Sequence, residues 1–235
     1  MDSSFDPVGL VLWFVAFLFS TTCHEAAHAW SALRGGDETA FRAGQVTLNP
    51  LPHIRREPFG MVVVPLLVYA LSGYMIGWAS APYDPHWAAR HPRRAGLMAA
   101  AGPLANFVLA GLAIVAIRLV VAAGWGLPPE QATFDLIVRP TSGDPLALAG
   151  MQFLSILACL NVLLGVFNLI PLPPLDGASV LESFGGTTAA RAMETVRSAP
   201  MAGLIGLLVA WQVFGFVAGP LFRLVLDLVH PGLYG

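Results

Sequence analysis

The stretch VGLVLWFVAFLFSTTCHEAAHAW, residues 8–30, is a long apolar run that ends in a cluster of ionisable side chains. From Val8 to Cys23 there is no charged residue, and His24, Glu25 and His28 follow immediately. On a helix that rises 1.5 Å per residue, His24 lies about 24 Å from Val8. It therefore reaches the far side of a hydrocarbon core that is about 30 Å thick. Because ionisable groups inside a membrane span are costly, the cluster predicts a functional site.

The rest of the composition is that of a polytopic membrane protein. Of the 235 residues, 56% are hydrophobic and only 11% are charged, with a net charge of −2. No dense block of arginines suggests nucleic acid as a partner. We predict a single membrane-embedded domain, all α-helical, over residues 1–235, in contact with the lipid bilayer. Apolar stretches long enough to span a membrane lie at about 8–33, 61–79, 95–117, 146–170 and 199–222.

The arginine distribution indicates how the chain is oriented. Residues 34–58 and 80–94 are rich in arginine, so the positive-inside rule predicts that both intervals face the cytoplasm. A single crossing by the apolar run 61–79 would put them on opposite sides. We therefore expect this run to re-enter the membrane and leave by the same face, with Met1 and the 124–145 loop outside. The alternative is that the positive-inside rule fails for this chain.

A short strand is expected within the first of these intervals. The segment FRAGQVTLNPLP alternates between apolar and polar residues and ends in a turn at Asn49-Pro50. An unpaired strand at membrane depth is tolerated only where it lines a protein cavity. We thus expect residues 41–48 to be an edge to which an extended peptide can add.

The HEAAH cluster has the spacing of a metalloprotease motif. On a helix, His24 and His28 lie on one face and can share a metal ion, while Glu25 is placed to act as general base towards water. The alternative is that two histidines at a helix end reach the membrane surface beside a glutamate. Two histidines are one protein ligand short of a catalytic zinc site.

The stretch NLIPLPPLDGAS, residues 168–179, supplies a third ligand. It follows the apolar run 146–170, its prolines break the helix, and it then presents Asp176 beside Gly177. Broken helices at membrane depth line cavities. The alternative is an ordinary loop carboxylate.

A third segment, AAAGPLANFVLAG at residues 99–111, opens another apolar helix. Gly102 and Pro103 suit a helix start with close backbone approach. Asn106, one turn further on, is a buried amide that needs partners. Its residue type is compatible with packing and with substrate contact.

These three motifs, in this order, resemble those of the site-2 proteases, the intramembrane zinc metalloproteases. The resemblance covers about residues 10–185, and TLNPLPHI and IGWASAP make it closest to the short prokaryotic members without PDZ or CBS domains. It implies a core of three helices at about 8–33, 95–117 and 146–171, with additional apolar segments at 61–79 and 199–222. It also implies an active site near the cytoplasmic face of the cell membrane.

The resemblance assigns a role to each site residue. It implies one zinc ion per chain, held by His24, His28 and Asp176, with Glu25 as the catalytic base and Asn168 as a substrate-holding residue. The chain departs from the family pattern in reading LDGAS where LDGG followed by a basic residue is frequent.

The function expected from these residues is hydrolysis of peptide bonds in membrane-spanning proteins or peptides. Two alternatives from other classes stay open, a metal-binding membrane scaffold without activity and a small transporter. His53, which follows TLNPLP, is a candidate gate or extra zinc ligand, with an ordinary loop histidine as the alternative.

Overall fold

The computed structural model describes residues 6–234, and this part of the chain is almost entirely helical. Four of its helices are long and apolar enough to cross a membrane. The prediction of an all-α polytopic membrane protein is thereby confirmed. The long helices are α1 (Pro7–Gly35), α6 (Pro92–Ala122), α7 (Pro145–Asn168) and α10 (Ala202–Val229).

The shorter elements connect these four helices. They are α2 (Thr39–Arg42), α3 (Pro50–Arg56), a π-helical turn (Phe59–Val63), α4 (Val64–Ser72), α5 (Pro85–Arg90), α8 (Asp176–Phe184) and α9 (Gly186–Ser198). One two-stranded antiparallel sheet joins β1 (Gly126–Leu127) to β2 (Arg139–Pro140).

The ends of α1 follow directly from its sequence. The Asp6 carboxylate accepts hydrogen bonds from the backbone N–H groups of Val8 and Gly9 at 3.1 and 3.0 Å, and Pro7 occupies the first helical position. Such a cap satisfies N–H groups that have no partner within the helix. Gly36 ends the helix in the left-handed conformation, with φ at 94°.

Helices α1, α6 and α7 form the centre of the molecule. Their contact surfaces bury small or branched side chains, among them Ala16, Ile117 and Ala158, each less than 1% exposed. Small side chains let helix backbones approach closely, which is how helices associate in lipid. This close packing brings the motifs of the three helices together.

Helix α6 begins earlier than the sequence indicates. It starts at Pro92, so the expected start at Gly102 and Pro103 is wrong and Pro103 lies inside the helix. A proline is tolerated within a membrane helix because neighbouring groups can replace the lost hydrogen bond. Gly102 does serve close approach, as expected, but between α6 and α1.

The strand expected at residues 41–48 is absent from the structure of this segment, so that prediction is wrong. Helix α2 ends there instead, and Gln45 N–H donates to the carbonyl of Ala40 at 2.9 Å. Gly44, with φ at 71°, allows this tight local closure. A local turn therefore prevents the extended conformation that the alternating pattern favours.

The apolar run 61–79 folds back on itself. The π-helical turn and α4 span residues 59–72, about 21 Å at 1.5 Å per residue, which is shorter than a hydrocarbon core of about 30 Å. The chain then turns at Gly73 and returns without regular structure, and Trp78 N–H donates to the carbonyl of Gly60 at 3.1 Å. Both ends of the run thus lie side by side, as a re-entrant segment requires.

Candidate metal centre

His24 and His28 lie on successive turns of α1 and both are 7% exposed. Their Nε2 atoms are 3.0 Å apart, with the rings nearly perpendicular to each other. The four-residue spacing on a helix accounts for this convergence.

Asp176 completes a cluster of three possible ligands. It is the first residue of α8, and its Oδ2 lies 3.1 Å from His24 Nε2 and 3.3 Å from His28 Nε2. An ionised carboxylate is the form that binds metal.

The chain reaches this position through a non-helical stretch. Helix α7 ends at Asn168, three residues before the expected end at 171, and residues 169–175 lead to α8. A side chain at Gly177 would collide with the carbonyl of Leu169. The glycine after Asp176 therefore permits the close turn that presents the carboxylate.

Helix α6 fixes the orientation of both imidazoles. His24 Nδ1 lies against the side-chain oxygen of Asn106, and His28 Nδ1 is 2.7 Å from the carbonyl of Met98. Since each of these acceptors requires a proton on Nδ1, both Nε2 lone pairs point into the cluster. Such outer partners set the tautomer and ring orientation of metal-binding histidines.

Asn106 belongs to a buried chain of hydrogen bonds. It is 0% exposed, and its Nδ2 donates to Asn161 Oδ1 at 2.8 Å. Asn161 in turn donates to Ser20 Oγ at 2.8 Å. The expected substrate contact by Asn106 does not fit this placement, because its polar atoms are occupied and no surface of it is free. The amide positions His24 instead.

Sequence reasoning missed Asn161 and Ser20. Asn161 stands in the middle of an apolar run, where an amide must find a partner within the protein. A lone amide side chain within this apolar run was the sequence signal for a buried hydrogen bond. Its partner could not be read from the sequence, since Ser20 and Asn106 come from two other helices.

Gly102 leaves the space in which the two histidines converge. A Cβ atom at this position would collide with His28 Nε2 and lie 2.6 Å from His24 Nε2. The ligand atoms of His24, His28 and Asp176 all lie within 4.8 Å of one another. Two imidazole nitrogens and one carboxylate oxygen are a donor set that suits zinc, with a fourth position open.

A cavity of about 500 Å³ opens beside the cluster. Glu25, 5% exposed, faces it directly, as does Asn168, whose Nδ2 also donates to the carbonyl of Leu164 at 3.0 Å. Arg197 of α9 reaches the same cavity and pairs with Glu182 at 2.8 Å. The irregular segment 79–83 forms a further wall. The cavity can therefore hold a peptide next to the possible metal ligands.

His53 lies in α3 and does not line this cavity. It is 1% exposed, and its Nε2 is 3.1 Å from the carbonyl of Thr47. A role as an extra zinc ligand does not fit this placement. The 49–57 segment instead supports the cavity wall, because Glu57 and Arg56 both hydrogen bond with Ser80 Oγ.

The helical membrane fold and the buried cluster of two histidines and one aspartate define a polytopic membrane metalloprotein. The chain belongs to peptidase family M50, the site-2 protease family, whose model matches residues 12–213. This confirms the resemblance noted in the sequence, and the family's metal is zinc. No solved structure gives a significant match.

Two relatives carry the name "Putative zinc metalloprotease". YwhC of Bacillus subtilis (strain 168) is 36% identical over 178 residues, which is 75% of this chain and 70% of the relative. Rip2 of Mycobacterium tuberculosis (strain ATCC 25618 / H37Rv) is 30% identical over 214 residues, which is 91% of this chain and 73% of the relative. The similarity thus extends over most of this chain.

Proposed function

We propose that the protein is an intramembrane zinc metalloendopeptidase that hydrolyses peptide bonds of membrane-spanning proteins or peptides. The observation that carries this proposal is the position of Glu25, in the same cavity as His24, His28 and Asp176 and within a helix long and apolar enough to cross a membrane. A carboxylate that is not one of the three clustered ligands, but lies beside them, is what general-base hydrolysis requires.

Each residue has a defined task in this proposal. His24, His28 and Asp176 hold one zinc ion, which supplies Lewis-acid activation of water and of the scissile carbonyl. Glu25 accepts a proton from the attacking water on a carboxylate oxygen and passes it to the leaving amine. Asn168 contacts the substrate backbone at the mouth of the same cavity.

The substrate is held by residues 79–83 rather than by residues 41–48. Within the described chain, residues 79–83 make no backbone–backbone hydrogen bond, and they line the cavity. Backbone groups that lack partners beside a cavity can pair with an extended peptide. A substrate helix has its amides internally bonded, so it must unwind before it adds to this segment.

The proposed orientation places the cavity near the cytoplasmic face of the cell membrane. Residues 34–58 and 80–94 carry most of the arginines and lie at the same end of α1 and α6 as the histidine cluster. The sheet of β1 and β2 belongs to the opposite end. The positive-inside rule then assigns the arginine-rich end to the cytoplasm.

The test is a comparison of metal content and cleavage in detergent-purified protein. Glu25→Gln keeps the shape of the side chain, so zinc should stay bound while cleavage of single-span model substrates falls at least about 100-fold. His24→Ala, His28→Ala and Asp176→Ala should each lose zinc. Glu38→Gln, an exposed change on the same side of the molecule, is the matched control.

The same experiment separates the proposal from its rivals. Zinc binding without cleavage by the wild type would indicate a metal-binding scaffold. Near-normal turnover by Glu25→Gln would contradict the general-base role. A transporter would show no cleavage by the wild type either, since it needs no water-activating carboxylate.

A further inference from the structure

A second cavity, of about 270 Å³, lies next to the zinc cavity and is almost wholly apolar. Its walls come from α1, residues 74–77, Phe134, α7 and α10, and none of the lining residues is charged. We call this cavity the aromatic pocket. Nothing in the proposed hydrolysis uses it.

Aromatic rings form one side of the pocket. The ring of Phe167 stands edge-to-face against Trp211 and Phe214, with centroids 6.4 and 5.2 Å apart. Edge-to-face pairs fix ring positions beyond what burial alone achieves. The pocket therefore has a defined shape that can accept or reject a side chain by size.

Three elements run from the aromatic pocket into the zinc cavity. Residues 74–77 line the pocket and residues 79–83 line the zinc cavity. Phe167 lines the pocket, and the next residue, Asn168, lines the zinc cavity. Helix α10 contributes Gly203 to the zinc cavity and Trp211 to the pocket. The two cavities therefore take walls from the same three elements.

The distance between them can be measured along α1. Phe17 in the pocket precedes His24 in the cluster by seven residues, about 10 Å at 1.5 Å per residue. An extended peptide covers this distance in about three or four residues, at about 3.3 Å each. The pocket lies towards the amino-terminal end of α1.

We propose that the aromatic pocket binds a bulky apolar side chain of the substrate, about three or four residues from the scissile bond and on the side of the α1 amino terminus. This inference rests on the proposed proteolysis. A substrate paired with residues 79–83 and extended towards residues 74–77 must pass the pocket. The absence of charge from its lining matches a side chain that comes from a membrane span. The pocket would then select the site of cleavage.

Crosslinking to the Glu25→Gln variant tests whether a substrate side chain occupies the aromatic pocket. The cut bond is first located with the wild type. Wild-type protein first cleaves a single-span leucine–alanine peptide with a central Gly-Pro, and mass spectrometry locates the cut bond. Glu25→Gln protein is then irradiated with the same peptide carrying benzoylphenylalanine at successive positions. Crosslinks to residues 74–77, Phe167 or Trp211 only from the third and fourth positions support the proposal. Crosslinks to the pocket by a photoactivatable phosphatidylcholine, undiminished by excess peptide, would show a lipid site and overturn it.

Cleavage rates test whether the aromatic pocket selects substrates by the size of one side chain. Peptides with Phe or Ala at the crosslinking position should differ about tenfold or more in kcat/KM with the wild type. Trp211→Ala should bring this ratio close to one. Val213→Ala, on the same helix, outside the pocket and similarly exposed, should keep it.

The possible failures are distinguishable. A wild-type ratio near one, or an equal loss in Val213→Ala, would overturn the specificity role while proteolysis stands. Zinc content of Trp211→Ala equal to wild type shows that the variant is folded. If no peptide is cleaved by zinc-loaded wild type, the proposed function fails, and the inference fails with it.

Discussion

The α-carbon of Gly102 faces the imidazole of His28 so closely that a Cβ atom there would collide with Nε2. The same atom would lie 2.6 Å from Nε2 of His24. The absence of a side chain on α6 is thus a condition for the metal centre on α1, and the helix contact itself forms one wall of the site.

The first prediction follows from this contact. Gly102→Ala should remove most of the bound zinc, because its methyl group occupies the space in which the Nε2 atoms converge. Gly111→Ala on the same helix has nothing within 4 Å of the added atom and should bind zinc like the wild type. Elemental analysis of both purified variants is the measurement. Full zinc content in Gly102→Ala would show that α6 can move away from α1.

A second prediction concerns the support of His24 by Asn106. Asn106→Leu removes the acceptor for Nδ1, so zinc affinity should fall about 10- to 100-fold, the usual effect of losing such a partner. Asn106→Asp retains an oxygen acceptor and should bind zinc more tightly than Asn106→Leu. Competition with a chelator gives both affinities, and equal affinities would exclude a positioning role.

Asp37 is predicted to hold the cavity wall in place. Its carboxylate accepts hydrogen bonds from the N–H groups of Thr39 at 2.9 Å and Asp84 at 2.8 Å, which ties the end of α1 to the end of the irregular segment. Asp37→Ala should lower the free energy of unfolding by about 1–3 kcal/mol and slow cleavage. Glu38→Ala, its exposed neighbour, is the control, with thermal unfolding as the measurement.

Acid should weaken the hydrogen bonds by which Asp37 ties the end of α1 to the irregular segment. Burial raises the pKa of Asp37, but hydrogen bonds from Thr39 and from the backbone of Asp84 outweigh it and lower that pKa. The unfolded value is about 3.9. The stabilisation is therefore complete above that pH and is lost as the pH falls through the folded value. The free energy of unfolding of Asp37→Ala should lack the decrease at low pH that protonation of Asp37 causes in the wild type.

The topology can be tested by labelling. In a variant with Cys23 and Cys159 replaced, single cysteines at positions 55 and 90 should react equally with an impermeant reagent, because the proposed re-entry of residues 61–79 puts both on one side. A cysteine in the 124–145 loop should show the opposite accessibility. Opposite labelling of 55 and 90 would mean that residues 61–79 cross the membrane.

His53 is predicted to act in folding and not in catalysis. Because it is buried in α3 away from the zinc cavity, His53→Ala should keep zinc and near-normal cleavage while lowering thermal stability. A clear rise in cleavage rate with unchanged thermal stability would instead support a role for His53 as a gate.

The sequence predicted the parts of the site that depend on local geometry. The spacing of His24 and His28 is fixed by one helix, and the prolines before Asp176 indicate that the helix breaks there. The partners of the histidines could not be predicted, since Asn161 and Ser20 meet Asn106 only after three helices pack. The strand at 41–48 failed because a hydrogen bond between Gln45 and Ala40 outweighed the alternating pattern.

Two further features depended on packing between distant segments. Re-entry of the run 61–79 was expected from its charged flanks and stays a prediction, and the hydrogen bond between Trp78 and Gly60 brings the ends of the run together. The aromatic pocket had no sequence signal at all, because Phe134, Phe167 and Trp211 are apolar residues in an apolar chain. Their arrangement arises only from the relative placement of α7, α10 and the loop before α7.

His24 and Asp176 belong to one cluster of possible metal ligands although 152 residues separate them in the sequence. During synthesis, the two histidines and the glutamate are inserted into the membrane long before the aspartate leaves the ribosome. Asp176, the third possible ligand, is made only after α6 and α7. A half-made chain therefore has no complete metal centre, and neighbouring nascent proteins at the insertion site are not exposed to a premature hydrolase.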